Sequence, residues 1–329
     1  MKRILVTGTA GFIGFHLSSA LLAAGHKVTG IDNMNSYYDV KLKQSRLALL
    51  QSNEHFEFLQ ADIENRDFVR GMIKNGAFHT VVHLAAQAGV RYSLTHPEAY
   101  AQSNLMGFFS VLDACKEHAV PHLVYASSSS VYGANTSLPF KEQDKTETPV
   151  SLYAATKKAN ELMAYSYSSM FGLKTTGFRF FTVYGPYGRP DMACFTFTKN
   201  ILEGKPIHIY NHGDMQRDFT YVDDVISGIV ALMEKSAALS ATDVPYRIYN
   251  IGNSSPVCLM DFVKAIESEL GKKAIIELLP MQTGDVKSTY ADVSQMEQDT
   301  GFAPKTTLEK GIHEFVAWYR DYYLDGSGQ

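Results

Sequence analysis

Residues 3–14 read RILVTGTAGFIG: a short β-branched and aliphatic run, three glycines, and then an apolar segment, FIGFHLSSALLAA over 12–24, at helical spacing. Gly8, Gly11 and Gly14 make G-x-x-G-x-x-G at the junction of a strand and a helix, a spacing that lets backbone N–H groups approach a pyrophosphate at the helix N-terminus. Asp32 closes the next predicted strand, 18 residues past Gly14. A carboxylate there accepts hydrogen bonds from both ribose hydroxyls and repels a 2′-phosphate, so NAD rather than NADP is the expected cofactor. Asp62 and Ile63, just past the third predicted strand, are candidate adenine contacts, and an ordinary strand-end turn accounts for them almost as well.

Outward from that stretch, short β-branched runs alternate with longer amphipathic segments, the pattern of repeated βαβ units. Strands are predicted at 3–7, 28–31, 56–60, 80–84, 122–126 and 175–179, with helices at 12–24, 67–74, 97–118 and 152–171. The expected fold is α/β: a doubly wound Rossmann-type parallel sheet with a smaller α/β substrate-binding lobe. After Phe181 the order becomes irregular, with Gly and Pro clusters at GPYGRPD, NHGD and GNSSP. RDFTYVDDVISGIVALMEK reads as a return to the first lobe, so 1–181 with 219–252 are assigned to the NAD-binding part and 182–218 with 253–324 to the other. The tail 325–329, DGSGQ, is expected to fray.

Composition narrows the function. The 329 residues carry 30 basic and 34 acidic side chains, a formal charge of −4, which gives no electrostatic support to nucleic-acid or anionic-membrane binding. No apolar run approaches the roughly 18 residues of a membrane span. The opening apolar run is brief and glycine-broken, unlike a secretory signal, and three widely spaced cysteines, Cys115, Cys194 and Cys258, fit a reducing compartment. A cytoplasmic enzyme is expected.

Tyr153 and Lys157 stand at i and i+4 where a helix begins, so they share a face. A free phenol with a pKa near ~10 is a poor base at neutral pH, and lowering it by about three units needs on the order of 4 kcal/mol. The neighbouring ammonium and a positive nicotinamide ring are the expected sources. The serine cluster 127–130 follows the fifth strand at the carboxyl edge of the sheet, where such folds bind ligands.

GTAGFIG, HLAAQ, SSSSVYG and YAATK together resemble the extended short-chain dehydrogenase/reductase family of nucleotide-sugar enzymes, from Arg3 to about Tyr323. The resemblance implies Tyr153 as base, Lys157 as its tuner and ribose anchor, and Ser128 as partner of the reacting oxygen. It also places Phe12, Ile13, Leu84, Ala85 and Ala86 among the NAD contacts. In RDFTYVDD it implies Arg217 on the diphosphate of a UDP-sugar, with pairing to Asp223 or Asp224 as the structural alternative. AQAGVRYS, RFFTVYGPYGRPDMA and GDVKSTYAD are similar to the UDP-glucuronate 4-epimerase branch. That similarity implies substrate contacts at Arg91, Ser129, Thr182, Arg189 and Asp285, with UDP-glucuronate and UDP-galacturonate as the sugars. It further implies a homodimer through the helices at 97–118 and 152–171. In such chemistry a 4-keto uronate is a β-keto acid, and Thr182 with Arg189 are expected to hold its carboxylate against loss of CO2.

A decarboxylase or dehydratase of the same family and a non-catalytic nucleotide-binding module are the competing readings. Ser129–Ser130 supply no carboxylate for a dehydratase, and intact Ser128, Tyr153 and Lys157 oppose the third. His208 and His212 have no evident third ligand, so no metal is expected. Cys115 reads as buried bulk and Cys194 as unactivated. One of Phe195, Phe197 or Tyr210 is expected to stack on uracil.

Overall fold

In the computed structural model, residues 1–235, 243–282 and 284–326 are described; the end of the predicted tail, 327–329, lies outside them. Apart from the edge strand Phe56–Gln60, the N-terminal strands are buried almost throughout, which is why they lack the alternation of a half-exposed sheet. They are β1 (Arg3–Thr7), β2 (Lys27–Asp32), β3 (Phe56–Gln60), β4 (Thr80–His83), β5 (Leu123–Ser128) and β6 (Thr175–Phe180), and with the strand Tyr246–Ile251 they form one parallel sheet. Its order is Tyr246–Ile251, β6, β5, β4, β1, β2, β3. This is the expected doubly wound α/β sheet, and its strand order reverses between β1 and β4, so their carboxyl ends open a crevice.

The seventh strand was not among the sequence-predicted elements. Arg247 and Asn250 interrupt its apolar run, yet Asn250 is buried and fully bonded: it accepts from Tyr132 Oη at 2.6 Å and donates to the carbonyls of Phe140 at 2.8 Å and Asp292 at 3.1 Å.

Helix α1 (Phe12–Ala23) follows the glycine turn. Helix α2 (Val40–Gln51), also unpredicted, starts on Asp39, whose carboxylate accepts from Lys41 N. Its inward face carries Lys43 and Arg46 beside Leu42, Leu47 and Leu50, so it shows no clean apolar stripe. The single helix predicted over 97–118 is instead three pieces: Pro97–Tyr100, a π-helical stretch Ala101–Gly107, and Phe108–Glu117. The widened turn carries Asn104, which accepts from Gln87 N at 2.8 Å and donates to Gln87 O at 3.0 Å, fixing the chain just past β4.

One apolar core packs α1 and the helix Val222–Lys235 against the sheet, around Val6, Leu17, Phe178 and Ile229. Another gathers Phe195, Ile207, Phe262, Phe315 and Trp318. Short parallel pairs join Thr182–Tyr184 to Phe219–Tyr221 and Pro206–Ile209 to Ile275–Leu278, and an antiparallel pair joins Gln216–Arg217 to Val257–Cys258. These pairings bring Thr182 and Arg217 to the crevice.

Candidate active site

A cleft of about 1040 Å³ runs along the carboxyl edge of the sheet, lined from Gly8 and Asp32 at one end to Arg217 and Asp285 at the other. At the first end the glycine turn is a backbone device. Gly8 has φ +73°, donates to Ile31 O at 2.7 Å, and a Cβ there would lie 2.8 Å from Ala85 N. A Cβ on Gly14 would lie 2.1 Å from Gly8 O. Helix α1 opens on Gly11 with no side-chain cap, which leaves its first N–H groups available to an anion. Asp32 is oriented by the N–H groups of Ala10 and Met34, at 3.2 and 2.9 Å. Phe12, Ile13, Ile63, Leu84, Ala85 and Ala86 line the same end. An uncapped helix start, a glycine cradle and a fixed carboxylate fit a dinucleotide. Asp62 lies in the turn that follows β3 and accepts from Asn33 Nδ2 at 3.1 Å and Glu64 N at 3.0 Å.

In the middle, β5 delivers Ser127 and Ser128 to the cleft and a 3₁₀ turn continues through Ser129–Tyr132. Ser128 Oγ accepts from Ser130 N at 3.1 Å. Behind it, Ser127 Oγ donates to Glu161 at 2.6 Å, and Arg179 grips both oxygens of that carboxylate at 2.8 and 2.9 Å. Burial opposes ionisation of Glu161, but the bonds and charge of Arg179 prevail and hold it below the usual carboxylate range. Removing one partner of such a buried pair leaves an uncompensated charge, so the pair fixes the floor beneath the serines.

The helix Leu152–Phe171 is capped by Ser151, whose Oγ accepts from Ala154 N at 3.1 Å, and this sets Tyr153 in its first turn. Burial pushes the Tyr153 phenol above its ordinary value, while a hydrogen bond with Ser128 and the charge of Arg189 pull it down. Lys157 is buried, donates to Ala126 O at 2.9 Å, and is pushed down to about 8 by burial. Lys157 and Tyr153 both line the cleft, from one helix. The lysine ammonium is anchored on a main-chain carbonyl, and the groups that lower the phenol are Ser128 and Arg189.

At the far end Ser129, Thr182, Arg91, Arg189, Arg217 and Asp285 all line the cleft. Arg91 lies 3.4 Å from Asp285 and 4.7 Å over the Tyr210 ring. Arg217 donates to the carbonyls of Gln216 at 2.8 Å and Lys287 at 3.1 Å rather than to Asp223 or Asp224. Phe197 and Tyr210 reach the cleft, whereas Phe195 packs against Phe315, Trp318 and Tyr319 in the second core, so Phe195 is removed as a base-stacking candidate. Cys115 and Cys194 are buried, and burial pushes both thiols up. Among the described residues no group of three metal-ligating side chains occurs.

Sequence reasoning passed over Arg46, Tyr37 and Asp191. Arg46 is fully buried and donates to Ala10 O in the glycine turn at 2.8 Å, to Tyr38 Oη at 2.7 Å and to Tyr187 O at 2.6 Å. It thereby ties the cofactor turn to the loop that carries Arg189. The signal was available: Lys43 and Arg46 share helical spacing with Leu42, Leu47 and Leu50, two basic residues on an otherwise apolar stripe.

Residues 4–252 match the family model for the NAD dependent epimerase/dehydratase family. The chain belongs to that family. Among relatives, UDP-glucuronate 4-epimerase 4 of Arabidopsis thaliana is 48% identical, covering 97% of this chain and 76% of its own. A probable UDP-glucuronate 4-epimerase of Rhizobium meliloti is 47% identical over 98% of both chains. Among solved structures, the UDP-glucuronic acid 4-epimerase of Bacillus cereus in complex with UDP-glucuronic acid and NAD is 34% identical with a TM-score of 0.90, covering 98% of this chain and 100% of that one. In this chain the glycine turn and the Tyr153 helix share one cleft, and among the described residues no helix is long and apolar enough to cross a membrane.

Proposed function

We propose that the chain is an NAD-dependent UDP-glucuronate 4-epimerase that interconverts UDP-glucuronate and UDP-galacturonate through a 4-keto intermediate. The observation that carries this reading is the convergence in one cleft of the glycine turn, the Ser128–Tyr153–Lys157 group and the Thr182–Arg189 pair. Gly8, Gly11, Phe12, Ile13, Gly14 and Asp32 would hold the cofactor's pyrophosphate and ribose, and Lys157 the nicotinamide side. When bound, NAD supplies uptake of a hydride from C4 of the sugar and its return to the opposite face.

The residues of the chain handle the proton. Tyr153 Oη removes it from the C4 hydroxyl and later restores it, a role that needs phenolate at the moment of transfer. Ser128 Oγ hydrogen-bonds the same oxygen. Arg217 is assigned to the diphosphate, supported by its place in the cleft wall, and Arg91 with Asp285 to the same end of the substrate. Ser129, Thr182 and Arg189 are assigned to the uronate carboxylate, where charge-assisted bonds keep the C5–C6 bond out of overlap with the C4 carbonyl. Residues 1–181 with 219–252 form the NAD-binding part in this reading, and 182–218 with 253–324 the sugar-binding part.

We also propose a cytoplasmic homodimer. Met106, Leu162, Met170 and Phe171 are half or more exposed on the two helical stretches that flank the sheet, apolar surface that a second copy would bury. Light scattering on the wild type and on Leu162→Glu checks this, with the variant expected to be monomeric.

Incubation with UDP-glucuronate and NAD, followed by chromatography, tests the activity. UDP-galacturonate is the expected product. UDP-xylose as the main product would move the chain to the decarboxylases, and no turnover would remove the reading.

A further inference from the structure

The guanidinium of Arg189 is not free-standing. Its Nε donates to Asp191 Oδ1 at 3.0 Å and its Nη2 to Asp191 Oδ2 at 2.6 Å, a two-point grip on one edge of the fork. Tyr37, from the segment after β2, donates its hydroxyl to the same Oδ2 at 3.1 Å. Tyr37 is pushed up to about 12, by burial first and then by the charge of Asp191, so it remains a donor across the working pH range. A guanidinium has five N–H donors in a plane. Asp191 takes one on Nε and one on Nη2, and three remain, of which two form the Nη1–Nη2 edge and the third, on Nη1, points to the Cδ side. The side chain of Arg189 is 22% exposed and all of these groups line the cleft, so the open edge has access to a ligand. Arg189 and Tyr153 line the same cleft.

We infer that Asp191, steadied by Tyr37, is the positioning residue that presents the Nη1–Nη2 edge of Arg189 to the substrate carboxylate and so sets the ratio of epimerisation to CO2 loss. The inference rests on the proposed function. In the 4-keto intermediate, a C5–C6 bond that lines up with the carbonyl π system breaks with its electron pair passing into a C4–C5 enolate. CO2 departs, C5 takes a proton from water, and UDP-4-keto-pentose results. A fork locked by Asp191 holds the carboxylate in one plane; a fork free to rotate does not. Without the grip, either edge of Arg189 can engage the carboxylate, and geometries that favour cleavage become populated.

The test uses the full-length protein with NAD and UDP-glucuronate labelled with ¹³C at C6. Labelled CO2 and UDP-galacturonate are followed together by NMR. Asp191→Asn is expected to raise CO2 released per epimer formed at least tenfold, with KM for UDP-glucuronate within about threefold of wild type. Tyr37→Phe keeps the ion pair and loses one bond to it, so a smaller rise in the same direction is expected; it also decides the matter if Asp191→Asn does not fold. A wild-type ratio in folded variants overturns the inference while leaving the epimerase reading intact. A wild type that makes no UDP-galacturonate overturns both.

Discussion

At the cofactor end of the cleft the chain works by leaving side chains out. Gly8 and Gly14 admit no Cβ without collision, α1 begins uncapped, and Asp32 is positioned by main-chain N–H groups. At the sugar end it works by bringing side chains in: Arg91, Arg189 and Arg217 come from three separate stretches, each fixed by a different partner, namely Asp285, Asp191 and the carbonyls of Gln216 and Lys287. The first end is local in sequence and general for a dinucleotide. The second is assembled by tertiary packing, and in the proposed function it is where one nucleotide sugar is told from another. Tyr153 and Ser128 stand where the two meet.

The largest expected effect breaks the molecule at that meeting point. Tyr153→Phe removes the proton carrier and nothing else, so kcat for epimerisation should fall by roughly 10²- to 10⁴-fold. NAD affinity, measured by fluorescence titration, should stay near wild type because the glycine end is untouched.

This division also explains what the sequence made legible. Strand β1, the glycine turn and Asp32 lie within one short stretch, and each acts through backbone geometry that spacing encodes. Six of the seven sheet strands are β-branched or apolar enough to read directly, and the seventh was hidden because Arg247 and Asn250 interrupt its apolar run, Asn250 as part of a buried hydrogen-bond network. The π-helical stretch inside 97–118 escaped because the extra residue it accommodates leaves the helical pattern on either side intact, and Gly107, which ends it, reads as an ordinary small residue of a helix. Tyr37 and Asp191 are 154 positions apart, and no local pattern brings them together. Arg46 is a different case: its spacing with Leu42, Leu47 and Leu50 marks it as inward-facing, and only the carbonyls of Ala10 and Tyr187 that it serves come from distant stretches.

Next in size is a paired glycine test that sharpens the contrast between backbone and side-chain construction. A Cβ on Gly14 would lie 2.1 Å from Gly8 O, backbone that cannot yield cheaply, whereas a Cβ on Gly71 in the helix Arg66–Gly76 meets nothing within 4 Å. Gly14→Ala should destabilise the fold by about 3 kcal/mol and weaken NAD binding, and Gly71→Ala should stabilise it by about 0.5–1 kcal/mol in urea melts.

At the sugar end, Arg217→Ala should raise KM for UDP-glucuronate by roughly 10- to 100-fold, the worth of about 1.5–3 kcal/mol of charge-assisted bonding, with kcat changed far less. An equal fall in kcat would place Arg217 at the chemistry rather than on the diphosphate.

The last prediction concerns pH. Burial pushes Lys157 down to about 8 from 10.5, so the unfolded chain holds more protons than the folded one between those values. Stability of the cofactor-free protein should therefore rise as pH climbs through that window, by up to about 1.4 kcal/mol per pH unit from this group, and level off above it. Lys157→Met should flatten that slope in urea melts. An unchanged slope would mean that the ammonium is not desolvated.

The most direct measurement of the central claim, that one hydride leaves C4 and returns to its other face, is the fate of a C4 label. UDP-glucuronate carrying deuterium at C4 should give UDP-galacturonate with the deuterium still at C4, even after many turnovers in ordinary water, as read by NMR and mass spectrometry. Loss of the label to solvent, or entry of solvent deuterium at C4 in the reverse experiment, would contradict the account.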